Sequence, residues 1–254
     1  MQKFFAPFRR LAFRVQYLYQ GKIFKACKAS GEYNNKTMKI RYLGHSSFQL
    51  IESTGTTVVT DPYADSLGCS MPKVKADAVT VSHHHYDHDA TEKIGGSPIV
   101  IDKEGSYDLP GVEINSIKSF HDSEGGKLRG ENIIFKFSMD GIEVCHLGDI
   151  GEECSTELIE SLLPVDVLLI PVGGTYTIDA EQAKEYVDRI MPDIVIPMHY
   201  REKGKKLDVD RVEEFTDLFD EEEVENEEES EIDISREDLG GDSTKIIVME
   251  RVED

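Results

Sequence analysis

Ala78–Ala90 reads AVTVSHHHYDHDA: a short apolar run, three successive histidines, then an aspartate and a fourth histidine within three more residues. Val and Thr bounded by polar residues make Ala78–Ser82 a strand candidate. Side chains two apart on an extended chain share a face, so His83 and His85 can grip one cation while His84 turns away. Once the chain turns, Asp87 and His88 can address a second position about 3.5–4 Å off, the spacing of two-metal sites. Imidazole nitrogens with a carboxylate oxygen suit Zn²⁺, and also Mn²⁺ or Fe. A loop that delivers metal ligands from a strand end belongs to a layered α/β protein.

The flanking sequence repeats the theme. All eight histidines fall between His45 and His199, and nearly all follow apolar runs: INSIKSF before His121, IEVC before His146, IVIPM before His199. Val- and Ile-rich strand candidates are Lys39–Leu43, Phe48–Glu52, Thr56–Thr60, Ile99–Ile101, Val112–Ser116, Asn132–Phe137, Glu143–Leu147, Val165–Pro171, Ile194–Met198 and a closing Lys245–Glu250. Helices are predicted over Cys154–Leu163 and Asp179–Met191, the second with acids in its first turn and Pro192 after it. Asp89–Ile94 is helix-like. So many strands exceed one small sheet, which implies mixed α/β layers with hairpins.

HxHxDH at 83–88, SFHD at Ser119–Asp122, HLGD at His146–Asp149 and IPMHY at Ile196–Tyr200 together resemble the metallo-β-lactamase superfamily. LGHSSFQL at Leu43–Leu50, DPY at Asp61–Tyr63 and VGGTYTIDAEQA at Val172–Ala183 resemble its branch of metal-dependent hydrolases that contains the ascorbate-6-phosphate lactonases. The resemblance covers residues 38–219 and the last strand. It implies a four-layer αβ/βα sandwich, two mixed sheets flanked by helices. It also implies His83, His85 and His121 on one metal, Asp87, His88 and His199 on the second, and Asp149 bridging. Two Zn²⁺ per chain, or Mn²⁺ or Fe, are the implied cofactors.

Asp61 is read either as a carboxylate that orients the metal histidines or as a turn residue. His45 is either a substrate contact or proton carrier, or a buried hydrogen-bonded histidine. His146 is expected beneath the site. Tyr176 and Tyr200 are candidate substrate contacts. Lys203, Lys205 and Lys206 offer an anion site or a solvated loop. The expected reaction is hydrolysis of a small ester, lactone or phosphodiester by a hydroxide bridging the metals, with Asp87 holding it and relaying a proton; Asp87 and Asp149 are the expected catalytic residues. The alternatives are a di-iron redox protein on the same fold and a non-catalytic metal-binding member. His85 stands where the redox proteins carry glutamate, and every expected ligand position is filled.

Charge sets the remaining bounds. The 254 residues carry a net −22. Ten Lys or Arg against one acid in residues 1–41 leave that stretch at +9 and the rest at −31. Such a body disfavours long nucleic acids and leaves a small-molecule substrate as the expected partner. Four scattered cysteines without a CxxC pair suit a reduced, cytoplasmic chain. Residues 1–37 form a basic extension in which Phe8, Leu11, Ala12, Val15, Leu18 and Tyr19 keep helical spacing. It could lie on an anionic membrane, dock on its own acidic body or on a second subunit of a homo-oligomer, or be skipped by a start at Met38. The domain proper is read as 38–254, with an acidic insert at 220–233 (DEEEVENEEESEID) expected as a solvated, self-repelling loop.

Overall fold

The computed structural model describes residues 36–65, 68–202 and 207–252, together with a two-residue antiparallel pair, Leu18–Tyr19 (β1) with Lys22–Ile23 (β2). Leu18 and Tyr19 are strand residues there, so the predicted helix does not include them. The rest of the basic extension, Cys27 and Lys203, Lys205 and Lys206 lie outside the described residues.

One sheet contains β3 (Thr37–Gly44), β4 (Ser47–Ile51), β5 (Thr57–Thr60), β6 (Ala78–Thr80) and β7 (Ile99–Ile101) in chain order. The second runs from an antiparallel edge, β8 (Ser106–Leu109), β9 (Val112–Phe120), β10 (Glu131–Met139) and β11 (Ile142–His146), into a parallel half with β12 (Val167–Pro171) and β13 (Ile194–Met198). Three late strands complete them. β14 (Val224–Glu227) and β16 (Lys245–Met249) extend the second sheet beyond β13, and β15 (Glu231–Ser235) adds to the first beside β3.

The sheets pack face to face. Alternate residues point to opposite faces, so Ile40, Tyr42, Phe48 and Leu50 of one sheet meet Phe135, Phe137, Val144, Leu169 and Ile196 of the other in a buried core. Each such side chain contributes roughly 1.5–3 kcal/mol of apolar burial. The outer face of the second sheet is covered by α1 (Thr156–Leu162), α2 (Ala180–Ile190) and the short α3 (Glu213–Thr216). On α2, Ala183, Tyr186, Val187 and Ile190 lie on one buried stripe, and an Asp179–Gln182 capping box closes its start.

Among the described residues, the outer face of the first sheet carries less helix than that of the second. Tyr63, Met71, Val74, Ala76 and Ile94 cover it from coil and beside a 3-10 turn, Thr91–Lys93, in the stretch predicted as helix-like. The covering segment contains Gly68 and Pro72, which interrupt any helix there. Among the described residues no helix is long and apolar enough to cross a membrane.

The acidic run is the largest correction. It is an ordered bridge between the sheets: β14 pairs with β16, and β15 pairs with β3. Val224, Ile232 and Ile234 supply apolar anchors, and Ile234 is buried in the inter-sheet core. The self-repulsion is offset by cross-strand cations. Lys39 Nζ lies 2.6 Å from Glu231, Arg41 Nε 3.1 Å from the same carboxylate, and Lys245 Nζ 3.0 Å from Glu225.

Candidate metal centre

Strand direction gathers the candidate ligands. β9, β11 and β13 run the same way, because β10 is antiparallel to both β9 and β11 while β11, β12 and β13 are parallel. Their C-terminal ends therefore share one edge, which carries His121, Asp149 and His199. In the other sheet β3, β5 and β6 are likewise co-directional and end at His45, Asp61 and His83. Backbone bonds join the two edges: His199 N–H donates to the His45 carbonyl at 3.0 Å and Ile133 N–H to that of Ser82 at 2.9 Å.

The seven expected ligand side chains meet there. His83, His85 and His121 bring ring nitrogens within 4.8 Å of one another. Asp87, His88 and His199 form a second such group, which also includes His45. His84 points outward and is 65% exposed. Asp149 Oδ2 lies between the groups, 3.2 Å from the Nε2 atoms of both His88 and His199, 3.5 Å from that of His121 and 3.8 Å from that of His83. Asp149 is placed by Gly148 at φ +58, where a Cβ would stand 2.4 Å from Asn132 Oδ1.

The supporting shell is equally specific. Asp61 is fully buried and accepts from His88 Nδ1 at 2.9 Å, Ser82 Oγ at 2.5 Å and Ser82 N–H at 2.8 Å. Ser82 Oγ in turn lies 2.9 Å from His83 Nδ1. One carboxylate thus aims His88 directly and His83 through a hydroxyl, leaving both Nε2 atoms toward the centre. Asn132 accepts from Asp149 N–H at 2.9 Å and donates to the Leu147 carbonyl at 2.9 Å. Neither Ser82 nor Asn132 stood out in the sequence, since single serines and asparagines carry no spacing signal. His45, Asp61 and His199 all hold positive φ, of 57°, 37° and 53°, local strain of a kind that collects at functional sites.

Electrostatics follow from burial and from this pairing. Burial pushes His83 down to about 2 and His45 down to about 4, and lowers His121. These imidazoles are neutral, as ligands must be. Burial also opposes charge on His88, but Asp149 and Asp61 outweigh it and raise its pKa. Asp149 is held well below the usual carboxylate range against its own burial by His199 and His88. The donor set fits a pair of divalent cations. His83 Nε2, His88 Nε2 and Asp149 Oδ1 are buried with no hydrogen-bond partner among the described residues, an arrangement that native proteins otherwise avoid.

Other expected residues fall around this centre. His146 lies beneath it, its Nε2 donating to the Ser46 carbonyl at 2.8 Å and its Nδ1 accepting from Gly148 N–H at 3.1 Å. Tyr176 is exposed in the loop that follows β12, between the strands that lead to Asp149 and His199. Tyr200 is a correction. It is buried, its ring stacks 6.5 Å from that of Tyr42, and it packs in the helix-side core instead of contacting the site opening. His199 sits in a bend with φ 53°, and the next side chain packs inward.

Residues 39–199 match the beta-lactamase superfamily domain family. The chain belongs to the metallo-β-lactamase superfamily. It is 29% identical over 213 residues to a metal-dependent hydrolase of Thermococcus onnurineus, covering 69% of this chain and 94% of that one. A metal-dependent hydrolase of Archaeoglobus fulgidus is 32% identical over 195 residues, 64% of this chain and 83% of that one. A Thermotoga maritima crystal structure, described as a candidate Zn-dependent hydrolase of the superfamily, superposes with a TM-score of 0.70 at 39% identity, over 85% of this chain and all of that one. The protein is a metal-dependent hydrolase of this superfamily, with a His/Asp cluster suited to its metal.

Proposed function

We propose that this hydrolase cleaves a small ester or lactone in the cytoplasm with two zinc ions. His83, His85 and His121 would hold one ion and Asp87, His88 and His199 the other, with Asp149 shared. The observation that carries this reading is the position of Asp149 Oδ2 within 3.2–3.8 Å of four imidazole Nε2 atoms drawn from both histidine groups. Bound there, two divalent cations supply Lewis acidity toward the substrate carbonyl and bring the pKa of a coordinated water toward about 7.

The chain's own residues do the rest. Asp61 and Ser82 fix the tautomers of His88 and His83, so no imidazole reorganises during reaction. Asp87 Oδ2 is 3.3 Å from His45 Nε2; burial pushes that carboxyl up, but the bond to His45 and the nearby His88 outweigh it and hold it well below the usual carboxylate range. Asp87 therefore stays an acceptor at neutral pH, able to take the proton of the attacking water and return it to the leaving alcohol. Zinc is favoured by the imidazole-rich donor set and by the zinc dependence in the description of the Thermotoga maritima protein. The described cysteines, Cys69, Cys145 and Cys154, are free thiols, which suits a reducing compartment.

The test is a substrate panel on protein reconstituted with Zn²⁺, Mn²⁺ or Fe²⁺: lactones, aryl esters and bis(4-nitrophenyl) phosphate. Ester or lactone turnover that tracks zinc content is expected. Turnover of the phosphodiester alone, or full activity after chelation, would overturn the reading.

A further inference from the structure

We propose that Arg129 and Tyr176 form an anion clamp at the mouth of the metal site, so that the substrate is an ester or lactone bearing a carboxylate remote from the scissile bond. The inference rests on the hydrolase reading above and narrows its substrate class. Arg129 lies in the loop between β9 and β10, which opens with the candidate ligand His121. That loop is locked by Asp122, whose carboxylate accepts backbone N–H bonds from Glu124, Gly126, Leu128 and Arg129 at 2.7–2.9 Å. Fixing the Arg129 backbone fixes where its side chain can reach.

It reaches the loop that follows β12. Arg129 Nη2 donates to the Thr175 carbonyl at 3.0 Å, and its guanidinium carbon sits 5.6 Å from the centre of the Tyr176 ring. Thr175 and Tyr176 belong to the loop after β12, between the strands that deliver Asp149 and His199. The clamp therefore joins the loop that opens with His121 to the loop lying between those of Asp149 and His199.

Arg129 is exposed and makes no ion pair among the described residues. Five N–H donors are fixed in a planar fork, and the one side-chain bond to Thr175 leaves most of them for a ligand. A guanidinium fork matches the two oxygens of a carboxylate, and the aromatic face beneath holds the guanidinium in place. On a body of net charge −22 an anionic substrate is repelled at long range. A cation at the entrance offsets that repulsion where the substrate docks.

The experiment compares two esters with one leaving group, neutral 4-nitrophenyl butyrate and anionic 4-nitrophenyl hemisuccinate, on zinc-loaded wild type, Arg129→Gln, Arg129→Lys and Tyr176→Leu. The wild type is expected to favour the anionic ester in kcat/KM. Arg129→Gln should lower kcat/KM for that ester about tenfold, mainly through KM, and leave the neutral ester unchanged. Arg129→Lys should recover part of the loss, and Tyr176→Leu should fall between. Equal losses on both esters would reduce Arg129 to a loop tie and overturn the clamp, as would a wild type without preference. Calorimetric titration with succinate reads the clamp without turnover. Succinate binding that weakens about tenfold in Arg129→Gln supports the clamp even if neither ester is cleaved, in which case the hydrolytic reading alone fails. Succinate binding that does not change overturns the clamp whatever the activity.

Discussion

Asp61 Oδ2 and His88 Nδ1 lie 2.9 Å apart with both side chains wholly buried. The carboxylate holds the imidazole with its Nε2 toward Asp149 and reaches His83 through Ser82. Asp61→Asn keeps the shape but removes the charge that favours this tautomer. A loss of about 10–100-fold in metal affinity is expected, as for other partners of metal-bound histidines. Competition with a chromogenic chelator measures it, and unchanged affinity would reduce Asp61 to a turn residue.

His83→Ala and Asp149→Ala address the centre directly. Protein purified without chelator is expected to carry one or two equivalents of transition metal, and each variant to lose at least one. Hydrolysis should fall by roughly 100-fold or more, because the groups act as a unit. Elemental analysis beside the ester assay reads both quantities. Metal-free protein with wild-type activity would contradict the assignment.

Acid should destabilise the fold well before its carboxylates titrate. His45 is pushed down to about 4 by burial, and burial likewise lowers His83, His121 and His146. Between pH 6.5 and 4 the unfolded chain binds protons at His45 that the folded chain refuses. Stability therefore rises with pH across this window and is lost as pH falls. His88 is shifted the other way by Asp149 and Asp61, so it does not contribute to this loss. Urea midpoints at pH 7, 5.5 and 4.5 should decline stepwise, and His45→Gln should flatten the decline. A flat profile in the wild type would contradict neutral buried histidines.

Ile234→Ala probes the acidic bridge. As a strand residue buried between the sheets, Ile234 should cost roughly 2–4 kcal/mol on truncation. In a solvated loop the same change would stay within about 0.5 kcal/mol. Denaturant unfolding followed by circular dichroism separates the two.

Most of the core strands were legible because apolar β-branched runs ending in Gly, Pro or Asp are local signals. β8, β14 and β15 were not, because their residues are largely polar and become strands only by pairing with β9, β16 and β3. Charge density in 220–233 reads as repulsion when Lys39, Arg41 and Lys245 are out of view. Tyr200 looked like a rim residue from its place beside His199. The bend at His199, with its positive φ, instead accompanies a Tyr200 that packs into the core.

HxHxDH and the three later histidine and aspartate motifs, read along the chain alone, determined the superfamily and the kind of chemistry, because ligand identity and short-range spacing are written locally. Which residues share an edge was decided only in three dimensions. Co-directional strands in two sheets bring His45, Asp61 and His83 opposite His121, Asp149 and His199, and the roles of Ser82, Asn132 and Arg129 arise from neighbours far away in sequence. The physical reason is that hydrogen bonds and close approach to a buried charge depend on distance in space, and the order of residues constrains that distance only through the fold.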